Sequence, residues 1–155
     1  SSCKRFSGCG VKAAWKGIFD KNSANEMFES KNIVLLSCKS SDFIRELSTY
    51  KRIIGFGDIP SSMKEIIAER DSLGTERDIY EVDIKRYNEC YTNSIIKALK
   101  LLFHEKITFS QLAKYIEFFL NKEIISILED KGKENRKDLA ELLFEFRNEI
   151  VFKDK

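Results

Sequence analysis

Two short apolar runs, separated by one amphipathic stretch, constrain this sequence more than any other feature. Ile33-Val34-Leu35-Leu36 stops at Ser37-Cys38, and Ile53-Ile54-Gly55-Phe56 stops at Gly57-Asp58. Runs rich in β-branched residues, without apolar–polar alternation, are the pattern of strands covered on both faces. Between them Phe43, Ile44 and Leu47 fall on one helical face, with Asp42 as the expected N-cap. Strand, helix and strand in this order form a βαβ unit with parallel strands. In open α/β sheets, chemistry sits in the crevice beyond the carboxyl ends of the strands. Cys38 and Asp58 both fall there.

The rest of the chain is helical in pattern. Pro60 stands near a helix start, and Ser62 with Glu65 forms a capping-box pattern before Ile66-Ile67; Gly74 breaks that helix. Ile84, Tyr87, Tyr91, Ile95, Leu99 and Leu102 recur at helical spacing up to about His104. Thr108 and Gln111 make a second capping box, followed by Leu112, Ile116, Phe119, Leu120 and Ile127 on one face, with Gly132 as the stop. A last helix runs from about Asn135 to Ile150. Upstream, Lys4 to Gly10 reads as a short strand ending in a glycine-flanked turn, Asp20 to Asn25 as a loop, and Glu26 to Ser30 as a short helix. The expected class is α/β: a parallel sheet portion over 1–78, covered by a helical portion over 79–155, in one domain.

Composition narrows the function classes. With 27 Lys and Arg against 25 Asp and Glu, the net charge is +2, which lacks the clustered basic excess of a nucleic-acid or membrane-surface binder. No apolar stretch approaches the roughly 20 residues of a membrane span, and none reads as a signal peptide. Cys3, Cys9, Cys38 and Cys90 form no C-x-x-C pair, and the one histidine is His104, so neither a zinc site nor a disulfide framework is expected. This cysteine usage fits a reducing, cytoplasmic setting. The chain begins Ser1-Ser2-Cys3, close to its first strand-like segment, and reads as a piece of something longer.

Three segments in order, Phe6-Ser7-Gly8-Cys9-Gly10, Val34-Leu35-Leu36-Ser37-Cys38 and Ile53-Ile54-Gly55-Phe56, resemble the caspase-like cysteine peptidases, and within them the CHAT domains of bacterial immune and signalling proteins. In that family one strand ends in a Ser-Gly-His-Gly type turn that carries the general base. The next ends in a Leu-Ser-x-Cys type turn that carries the nucleophile. Tyr91 to Ser94 and Thr108 to Phe119 resemble the helices that close the family's C-terminal end, so the likeness spans roughly Phe6 to Phe119. It implies a caspase-like sheet with Cys38 as nucleophile, the Gly10 N–H as an oxyanion donor, and Cys9 where the base should stand. It also implies a protein or peptide substrate, no cofactor, and control by a regulatory or sensor domain of the parent chain. Asp58, ending the next strand, would border the specificity pocket and favour a basic side chain.

The family pattern breaks at Cys9. A thiol with an ordinary pKa near 8.5 does not shuttle a proton as imidazole does, so the site as written lacks its general base. The interval between positions 9 and 38 is also shorter than the family's, implying a trimmed hairpin. Two explanations fit: a substitution that traps an inactive form, or a natural pseudo-peptidase that uses the fold for binding. Cys38 carries a competing reading as a packed residue, since free cysteines are among the most buried side chains. Three other classes stand beside the peptidase. A Mg²⁺-dependent nuclease would use Asp58, Asp83 and Lys85, and needs residues 79–85 to be a strand. A binding module would present Tyr80, Tyr87, Tyr91, Tyr115, Phe118 and Phe119 to a partner. A nucleotide site would use Gly55-Phe56-Gly57, a lone G-x-G.

Overall fold

A computed structural model describes residues 21–60, 62–63, 65–67 and 78–155. The expected first strand, with Cys9 and Gly10, and the break at Gly74 lie outside these residues. The βαβ unit forms as the apolar runs require. Strand β1 (Asn32–Leu35) leads through a short helix α2 (Ser40–Ile44) to β2 (Arg52–Gly55), and the two strands pair in parallel, Ile33 opposite Ile53 and Val34 opposite Ile54. The helix before them, α1 (Lys21–Phe28), covers the stretch expected to be a loop. Its Ala24 and Phe28, one turn apart, pack into the cluster beneath the sheet, and Asn25 Oδ1 accepts the Ser48 N–H at 2.7 Å.

The absence of alternation in β2 has a direct cause. Ile53 points into a small cluster with Ala24, Ile44, Leu47 and Tyr50, whereas Ile54 points into the large cluster built by the C-terminal helices. Both faces of β2 are therefore apolar and covered. Strand β1 is only half-buried, and Leu36 just beyond it is 46% exposed. Among the described residues β1 has a strand neighbour on one side only.

Three long helices supply the large cluster: α3 (Glu81–Phe103), α4 (Phe109–Glu129) and α5 (Arg136–Asn148). The Thr108 N–H meets the Gln111 side chain at 2.9 Å, as the capping box requires. Helix α4 ends at Glu129 with Asp130 as its C-cap, so Gly132 lies past the stop rather than making it. After α5 the chain does something the helical pattern does not announce. Val151–Asp154 form strand β3, antiparallel to β2, with Arg52 and Asp154 paired at 3.0 Å. The sheet is mixed, in the order β1-β2-β3. The expected parallel sheet holds for β1 and β2 alone, and the helical portion returns one strand to the sheet portion. The structure is thus mixed α/β, and no helix among the described residues is long and apolar enough to cross a membrane.

The sheet and the helices are joined at the exit of β2. The Phe56 ring stacks on Phe146 of α5 at 5.5 Å between centroids, and Tyr91 of α3 meets the same Phe146 ring at 4.9 Å. Aromatic pairs of this kind contribute about 1 kcal/mol each beyond the area they bury. On the other side, the fully buried Ser40 ties α2 to both strand ends. Its Oγ donates to Leu35 O at 2.7 Å and accepts the Phe56 N–H at 2.8 Å. The Ser40→Ala variant leaves a buried N–H and a carbonyl without that partner, so it is expected to lose about 2 kcal/mol of unfolding free energy. Chemical denaturation checks this; a loss below about 0.5 kcal/mol would contradict the role given to Ser40.

Candidate functional site

The turn after β1 is short and sharply folded. The Ser37 N–H returns to Leu35 O at 3.1 Å, and Lys39 takes a left-handed conformation at φ 56°, ψ 24°. Lys39, not Asp42, is the residue before the first turn of α2; Asp42 sits inside that turn and pairs with Arg45 at 3.5 Å. The turn is stitched to the exit of β2: the Lys39 N–H donates to Gly57 O at 2.7 Å and the Ser41 N–H to Phe56 O at 2.9 Å. A left-handed lysine costs about 1 kcal/mol or more. These bonds, with the Ser40 hydroxyl, hold it there. Gly55 is required at this junction because a Cβ would strike the Ile44 side chain and lie 3.2 Å from the Ser40 carbonyl carbon.

This stitching brings Cys38 and Asp58 together. The exposed Cys38 thiol donates to Asp58 Oδ1 at 3.4 Å, and Lys39 Nζ sits 3.5 Å from the same oxygen. The thiol is held above its ordinary value: partial burial pushes it up, and the hydrogen bond and charge of Asp58 add to this. A backbone interaction with Ile59 and the Lys39 ammonium pull the other way. A carboxylate beside a thiol opposes thiolate formation. Asp58 is itself held from behind, its N–H donating to Glu149 Oε2 at 2.7 Å. Gly57 makes room for that contact, since a Cβ there would collide with the Glu149 side chain.

An open polar cleft of about 360 Å³ lies beside this cluster, bordered by Lys39, Arg45, Asp58, Asn148 and Glu149. Below the cluster, Tyr87 of α3 is fully buried, and its hydroxyl finds no hydrogen-bond partner among the described residues. Burial holds its phenol far above the ordinary range; after burial, Tyr91, Glu149, Glu145 and Cys38 all push in the same direction.

The other sequence candidates separate from this site. His104 is the exposed C-cap of α3. It lies about 25 Å of helix axis beyond the Tyr87 level, so it supplies no imidazole to Cys38. Residues 81–103 are helix rather than strand, which removes the geometry a nuclease site needs. Asp83 there is a buried structural acid, accepting the Tyr80 N–H at 3.1 Å and an Asn135 amide, with Lys133 Nζ at 3.6 Å. Gly55 and Gly57 are used up by close packing against Ile44 and Glu149, not by a nucleotide turn. The aromatic residues do not share one presented face: Tyr87 is core, Tyr91, Tyr115 and Phe119 pack against that core, and Tyr80 and Phe118 are exposed. Among the described residues no cluster of three or more His, Cys, Asp or Glu is placed to hold a metal ion.

Lys39, Ser40, Tyr87 and Glu149 belong to the site's surroundings and carried no signal of it in the sequence. Glu149 stands 91 residues from Asp58, and nothing local announces that pairing. Comparison with family models, with curated proteins and with solved structures found no match for this chain.

An orphaned buried hydroxyl costs free energy that a phenyl ring of the same shape does not. Tyr87→Phe is therefore expected to raise the unfolding free energy by about 1 kcal/mol in chemical denaturation. A loss of stability instead would mean that the hydroxyl has a partner, such as a buried water.

Proposed function

We propose that Cys38 is the nucleophile position of a caspase-like cysteine peptidase domain acting on protein or peptide substrates, carried here in an unarmed form. One observation carries this reading: Cys38 is an exposed thiol at the carboxyl end of a parallel strand, in a turn pinned by three interactions to the exit of the next strand, beside an open cleft. A packed structural cysteine has no use for that exposure.

The unarmed state follows from the neighbours. A peptidase thiol needs a base that removes its proton and returns it to the leaving amine. Cys38 instead donates to a carboxylate that keeps the proton in place. The resemblance puts Cys9 at the position of the missing base and the Gly10 N–H at the oxyanion. By the same resemblance Asp58, on the cleft border, is the residue that would favour a basic side chain there, with Lys39 and Arg45 on that border opposing it. The same thiol environment favours a second reading, a caspase-like binding module without turnover.

A peptidyl electrophile carrying a basic residue before its reactive group tests both, with adducts located by mass spectrometry. Cys38 is expected to label slowly, faster as pH rises, and at least about tenfold faster in Cys9→His, with no adduct at position 38 in Cys38→Ser. If Cys38 reacts no faster with the peptide reagent than with iodoacetamide in either form, the peptidase reading falls and the binding module replaces it. Asp58→Ala with an undiminished preference for basic peptides would remove Asp58 from the specificity role.

A further inference from the structure

We infer that Glu149 is the positioning residue of the Cys38 site, through which the corner between α5 and β3 fixes Asp58 over the thiol. The inference rests on the reading of Cys38 as the reacting atom, and adds how its reactivity is set.

Glu149 is the C-cap of α5 and stands two residues before β3. Its carboxylate reaches across the sheet end to accept the Asp58 N–H, which ties that loop to the C-terminal corner. The chain is shaped for the contact: Gly57 has no side chain where the Glu149 carboxylate and its stem pass. The opposite side of the same loop is fixed independently by the Lys39 N–H on Gly57 O. Asp58 is thus clamped between two elements, and its side chain is left over Cys38 and Lys39. If the corner shifts, one half of the clamp is lost and the carboxylate is free to leave the thiol. The β3 strand is the lever: its pairing with β2, from Gly55 opposite Val151 to Arg52 opposite Asp154, holds the corner in register.

The groups facing Cys38 come from every element around it. Asp58 raises and Lys39 lowers the thiol. On α2, Asp42 and Arg45 pair with each other, which limits their net field. Tyr87 of α3 has its phenol raised by burial first and then by Tyr91, Glu149, Glu145 and Cys38. Loss of Glu149 therefore acts through two routes, release of Asp58 and removal of a distant charge, and the conservative variant separates them.

The test is the rate of Cys38 alkylation by iodoacetamide across pH, resolved by mass spectrometry, with folding checked by thermal melting. Glu149→Gln keeps an acceptor for the Asp58 N–H and is expected to stay within about twofold of the parent rate at neutral pH. Glu149→Ala and Gly57→Ala, which remove or displace the carboxylate, are each expected to speed labelling roughly three- to tenfold. In an Asp58→Asn background Glu149→Ala is expected to add nothing. Parent rates in folded Glu149→Ala and Gly57→Ala would overturn the inference. So would Glu149→Gln matching Glu149→Ala, or an undiminished effect with Asp58→Asn, since either result means that charge and not position is at work. Iodoacetamide reports the thiol alone, so these outcomes stand apart from the peptide-reagent result that decides the peptidase reading.

Discussion

The exit of β2 at Phe56 is the point on which the rest of the structure depends. Its ring is stacked on Phe146, which ties the sheet to the C-terminal helices. Its N–H is taken by the buried Ser40 hydroxyl, and its carbonyl by the Ser41 N–H, which ties the sheet to α2. Burying a strand end is possible only if its backbone groups are paired, since an unpaired buried group costs about 1–3 kcal/mol. Ser40 supplies that pairing just past the last residue of the strand ladder. There is a second consequence: the bonds that satisfy Phe56 also fix where the Cys38 turn lies.

From that placement the site's chemistry follows. A turn forced into the left-handed region at Lys39 leaves Cys38 exposed rather than tucked under the sheet. The loop after β2, held by Gly57 and Glu149, delivers Asp58 to the sulfur. The result is a thiol hydrogen-bonded to a carboxylate that an ammonium also pairs with, and burial together with the carboxylate outweighs the Ile59 backbone interaction and the ammonium. Position and reactivity are therefore set separately: the strand ends aim the sulfur, and the acid across from it keeps the proton on.

Much of this was legible in the sequence, for identifiable reasons. Ile53 and Ile54 pointing to opposite covered faces is what an unalternating apolar run means, so the parallel pair and the location of Cys38 and Asp58 could be read directly. The boxed start of α4 at Thr108 was equally local. What could not be read depends on distant partners. Val151-Phe152 is too short an apolar pair to announce a strand, and becomes one only because β2 offers an open edge for pairing. Asp42 looks like the cap of α2, yet the bonds from Gly57 and Phe56 set the helix start one turn earlier in register, at Lys39. The polar stretch from Asp20 to Asn25 suggested a loop where Ala24 and Phe28 in fact anchor α1 against the sheet. The contact of Glu149 with Asp58 joins distant parts of the described fold and has no local signature at all.

The most direct test of the account is a titration of Cys38 itself, followed by its Cβ chemical shift in selectively labelled protein. A carboxylate-bonded, partly buried thiol is expected to deprotonate above the ordinary cysteine value, and closer to it in Asp58→Asn. A midpoint at or below neutral pH would contradict the account, because it would mean that a base or cation other than those around Cys38 here has already armed the thiol.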